Sequence, residues 1–98
     1  MNTETTEIIG MAIEVIADKQ KVLTSTNRQE CEAYEDRANE MLSALNTVKK
    51  LMDDEAEIKQ REYRVIKREA RDIRDFMDEL KSCKTRARDH KFNLQREL

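Results

Sequence analysis

Reading every seventh residue from Cys31 gives Cys31, Ala38, Leu45, Met52, Lys59, Ile66, Ile73, Leu80, Ala87 and Leu94, nine of ten apolar in a chain whose hydrophobic share is 38%. A repeat of seven places these residues on one stripe of an α-helix, the seam of a coiled coil. The companion apolar positions change partway along. Before Met52 they lie three residues after the seam position (Tyr34, Met41, Val48), and beyond it four after (Tyr63, Ala70, Met77). Such a slip is either a stutter in a continuous rod or the mark of a turn between two antiparallel helices.

Charge argues for a turn. Asp53, Asp54 and Glu55 would oppose the macrodipole at a helix C-terminus and favour it in the first turn of a new helix. Lys49 and Lys50 suit the end of the helix before, and Asp54 with Glu57 makes a capping pair. A turn near residues 53–55 is therefore predicted. An earlier break falls at Thr24 to Asn27, where Thr26 with Gln29, or Asn27 with Glu30, fits the N-cap pattern. The predicted helices run from about residue 4 to 23, 27 to 52 and 55 to 95.

Residues 1–98 are read as a single helical domain. The expected fold is all-α: an antiparallel helical hairpin or three-helix bundle with coiled-coil packing and a long C-terminal helix, self-associating as a homodimer or other homo-oligomer. Folding about residue 55 sets Leu45 against Ile66, Met41 against Ala70, Tyr34 against Met77 and Cys31 against Leu80. It also brings Glu40 near Arg71, and Arg37 near Asp72 or Asp75. The third helix, the longest, then overhangs the second. Helix one presents Ile8, Ile9, Ala12, Ile13, Val15, Ile16, Val22 and Leu23, a breadth suited to burial between two neighbours. The competing architecture is a dimer in which residues 27–95 form one rod.

Composition narrows the chemistry. One glycine, no proline, no tryptophan and 4% aromatic residues remove most of what sheets and phosphate loops are built from. The net charge of −2 conceals an acidic first half (residues 1–58) and a basic remainder, which favours antiparallel packing. The apolar run from Ile8 to Ala17 is interrupted by Glu14 and is too short to span a bilayer. No membrane span and a cytoplasmic location are expected, with Cys31 and Cys83 reduced and acting as small hydrophobes.

No positioned acid, base or nucleophile is evident, so a non-enzyme without metal or cofactor is expected. His90 is the only histidine and has no ligand partner at helical spacing. Asp72, Asp75, Asp78 and Glu79 interleave with Arg68, Arg71 and Arg74, which predicts a solvated ladder of ion pairs. The seam explains Met41, Met52 and Met77 as core.

Two stretches remain as binding candidates. The overhanging tail carries Arg86, Arg88 and Lys91 with Phe92, Leu94 and Leu98, a basic amphipathic segment suited to a partner's groove. The basic run from Lys59 to Arg74 carries Arg61, Arg64, Arg68 and Arg71, suited to phosphates. The reading that follows is a helical protein-interaction module, an adaptor, chaperone or small inhibitor working through coiled-coil or helix-in-groove contacts. Nucleic-acid binding along the basic face of the C-terminal helix is the alternative.

Overall fold

The computed structural model describes residues 3–96. They form α1 (Thr3–Ala17), α2 (Lys19–Leu23), α3 (Arg28–Ile58) and α4 (Tyr63–Arg96), with a single 3-10 turn, Gln60–Glu62, between the last two. α1 and α2 are nearly continuous: the amide of Asp18 still bonds Glu14 O at 3.0 Å and that of Val22 bonds Asp18 O at 3.2 Å. The assembly is an all-α bundle 58 Å long and 20 by 16 Å across.

The break at residues 24–27 forms as its side chains predict. Thr24 Oγ1 donates to the carbonyls of Gln20 and Lys21 at 3.1 and 3.0 Å, closing α2. Asn27 opens α3 with an extended backbone, and its Oδ1 accepts from the Gln29 amide at 2.8 Å. Ser25 braces the loop, donating to Glu30 Oε2 at 2.5 Å while accepting from the Asn27 amide at 3.1 Å.

The hairpin turn lies later than the acidic triplet suggests. α3 runs through residues 53–55 and ends at Ile58, and α4 begins at Tyr63 rather than residue 55. Two causes carry the helix onward. Its buried stripe continues past Met52 to Ala56, four residues on, so ending at residue 52 would expose a packed turn. The triplet is also charge-compensated: Lys49 and Lys67 both reach Asp53, and Lys59 reaches Glu55 at 2.9 Å. The slip in companion spacing is thus a four-residue step within a straight helix, followed by the turn. No residue among those described has a positive φ, so the reversal needs no glycine. Lys59 breaks the helix with φ −98 and ψ 76, and one 3-10 turn leads directly into α4.

Moving the turn moves the ion pairs across the hairpin. Lys67 meets Asp53, and Lys91 meets Glu35, in place of the contacts expected from a fold about residue 55. Arg37 pairs with Asp18 of the first segment at 3.3 Å rather than with Asp72 or Asp75. α3 and α4 now differ by only a few residues in length, so the long overhang is gone. The same chain reversal replaces the rod of residues 27–95.

α1 and α2 lie in the groove of this hairpin, antiparallel to α3. Thr5 sits beside Val48, Met52 and Ile66, Tyr34 Oη donates to the Val15 carbonyl at 2.7 Å, and Ser25 meets His90. The core contains Ala12, Val15, Leu45, Ile73, Leu80 and Ala87, with both cysteines and Tyr34 between the helices. Burying such side chains stabilises the fold by about 1.5–3 kcal/mol for each large one. Small residues at Ala38, Ala56, Ala70 and Ala87, all buried, let the helix axes approach closely.

Candidate functional site

The tail expected to hang free is largely docked. Ala87 is buried and Leu94 packs on the core. Lys91 lies 3.4 Å from Glu35 Oε1 and 3.9 Å from Glu32 Oε1. His90 Nε2 lies 2.6 Å from the Ser25 carbonyl; a carbonyl only accepts, so the ring proton is on Nε2. These contacts exist because the later turn brings residues 83–94 alongside the start of α3. Of the six tail residues, Arg86 and Arg88 are exposed, Phe92 is 53% exposed, Leu94 and Lys91 are engaged, and Leu98 lies outside the described residues.

The opposite end of the molecule also exposes apolar side chains. Leu51 is 63%, Ile58 81% and Val65 58% exposed. Near them Thr5, Val48, Met52, Glu55, Glu62, Val65, Ile66 and Glu69 line a concavity of about 190 Å³ between α3, α4 and the first turns of α1. Glu55 is four residues after Leu51 and three before Ile58, so these two side chains edge the concavity along one helical stripe. Its lining sets three glutamates, Glu55, Glu62 and Glu69, beside Val48, Met52, Val65 and Ile66. Glu62 and Glu69 make no ion pair among the described residues, while Glu55 holds Lys59. A short second heptad series, Ala44, Leu51, Ile58, Val65, was the sequence signal for this surface; it is masked by the stronger seam from Cys31.

On the hairpin face turned away from α1, Lys49, Asp53, Lys67, Ala70, Arg71 and Arg74 line a second concavity of about 210 Å³. Lys49 and Lys67 donate to the two oxygens of Asp53 at 3.0 and 3.1 Å. Those bonds hold the Asp53 carboxyl below its ordinary range and raise the Lys67 ammonium. Arg71 and Arg74 make no ion pair among the described residues. Neither do Arg61, Arg64 and Arg68, so the predicted ladder with Asp72, Asp75 and Asp78 does not form. Each arginine precedes its acid by four residues, the weaker orientation for such pairs.

The cysteines offer no exposed nucleophile. Both are free and buried. Burial, then the carboxylates of Glu30 and Glu35, push the Cys31 thiol up, against a smaller opposing effect of Lys91. Burial and the neighbouring Cys83 thiol push the Tyr34 phenol up. Among the described residues no group of acids, histidines or cysteines is arranged to hold a metal, and no helix is long and apolar enough to cross a membrane. No protein-family model, curated protein or solved structure matches the chain.

Proposed function

We propose that the chain is a non-enzymatic protein-interaction module that holds a basic amphipathic helix of a partner protein in the groove at its hairpin tip. The observation that supports this reading is the exposure of Leu51, Ile58 and Val65 beside a concavity lined by Glu55, Glu62 and Glu69. Thr5 of α1 lines one side of the concavity, and α3 and α4 supply the rest. A helix laid there would pack leucine-like side chains on Leu51, Ile58 and Val65 while its lysines or arginines meet the glutamates. An adaptor or an inhibitor that sequesters such a helix fits this arrangement.

The test uses a designed Leu/Lys amphipathic peptide and its Leu/Glu counterpart, read by amide chemical shifts of the full chain. Binding of the Lys peptide with shifts at Leu51, Glu55, Ile58, Glu62 and Val65, abolished in Ile58→Arg/Val65→Glu, is the expected result. Absence of shifts, or shifts unaffected by that variant, overturns the reading. A molecular mass that doubles with concentration and reverts in the variant would place a second copy on this surface instead, and would also overturn it.

A further inference from the structure

The geometry points to a second binding site, on the hairpin face opposite α1, that takes the phosphate backbone of a single-stranded nucleic acid. Lys49, Lys67, Arg71 and Arg74 surround the concavity there, with Asp53 as its one lining acid. Both Asp53 oxygens are already taken by the two lysines, so the arginines are left with their full charge and all their donors. Arg64 and Arg68 extend the surface toward the turn. From Arg64 to Arg74 the row spans about 15 Å along α4 at the helical rise. Glu57, whose charge acts on Lys67, and Asp75 and Asp78, four residues after Arg71 and Arg74, bound the positive region.

Three features favour nucleic acid over other polyanions. Guanidinium groups recognise phosphate oxygens through paired donors, and these are unengaged. Tyr63 is exposed at one end of the strip, with Lys67 Nζ 5.7 Å from its ring centroid. An exposed aromatic beside a cationic groove is the arrangement on which unpaired bases stack, whereas duplex bases are already stacked on one another. An anionic bilayer would instead require an apolar face along the strip to insert. The concavity there is lined by charged residues and one alanine. This site shares no lining residue with the hairpin-tip groove, and each stands without the other.

The probe is a fluorescently labelled, mixed-sequence single-stranded oligonucleotide, with anisotropy followed across a salt series on the full chain. Four phosphate contacts predict a slope of log affinity against log salt of about −3. Arg71→Gln/Arg74→Gln should weaken binding at least about tenfold at low salt, with helicity unchanged by circular dichroism. Tyr63→Ala should weaken it several-fold without altering the salt slope. Should the double variant lose helicity, Arg64→Gln/Arg68→Gln provides the same reading at other exposed positions. Lack of binding at low salt overturns the proposal, as does binding unaltered by these variants. Equal or tighter binding to a duplex of the same sequence, or to phosphatidylserine vesicles, overturns the assignment to a single strand.

Discussion

Lys67 Nζ and Asp53 Oδ1, fourteen residues apart in the chain, lie 3.1 Å apart across the α3–α4 hairpin. With Lys49 on the other oxygen, this contact ties the register of the hairpin to a single carboxylate. Because the folded carboxyl is held below its ordinary value of 3.8, the unfolded chain takes up this proton first as pH falls. The stabilisation is complete above about pH 5 and is lost progressively below about pH 4. Asp53→Asn should cost about 1 kcal/mol or less, since all three side chains are near one-third exposed. Urea midpoints measured from pH 7 to pH 2 should converge for the two proteins at the acid end.

Tyr34→Phe removes the donor to the Val15 carbonyl while keeping the ring. The expected loss is about 1 kcal/mol, read from urea unfolding. Faster amide exchange should appear in α1 before it appears in α3, because that hydrogen bond is what joins them at this level.

Thiol labelling of the native protein should be slow. Cys31 and Cys83 are buried and the Cys31 thiol is raised, so little thiolate is exposed near neutral pH. Modification with an aromatic disulfide should follow the opening of the bundle and become immediate in denaturant. Rapid labelling of either residue in the native state would contradict this packing.

Phe92 and Leu94 should now respond differently. Phe92→Ala, at a half-exposed position, should change stability by no more than about 0.5 kcal/mol. Leu94→Ala, which removes a side chain packed on the core, should cost about 1–2 kcal/mol, and Leu80→Ala in the interior about 2–5 kcal/mol. Thermal unfolding of the three variants ranks them.

The heptad series from Cys31 was legible because a helix that buries one stripe must repeat its apolar residues at that period. Cys31, Ala38, Leu45, Met52, Ile66, Ile73, Leu80 and Ala87 are all buried as it required. The loop at residues 24–27 was legible because Asn27 and Thr24 have short side chains that bond nearby backbone. The turn was misplaced because macrodipole energies of a few tenths of a kcal/mol for Asp53 to Glu55 were set against the burial of Ala56, and burial is the larger effect. An apparent overhang at Phe92 followed from a fold about residue 55, and the exposed tip at Ile58 was hidden inside the expected third helix. The absence of the ladder expected of Arg68, Arg71 and Arg74 was not legible from helical spacing alone, which leaves out that each arginine precedes its acid in the weaker order.

The up-down-up order of the helices has a kinetic consequence. Neighbours in the chain are neighbours in space, joined by links of only a few residues, so little loop-closure entropy is lost before native contacts form. Folding should be fast, in the microsecond to millisecond range, with the α3–α4 hairpin forming first and the first segment condensing onto it. Unfolding would begin by release of that segment, uncovering Leu45, Ile73 and Leu80 while the hairpin persists. A chain caught in that half-open state could accept the first segment of another copy, which makes exchange of that helical segment between molecules the principal hazard at high concentration.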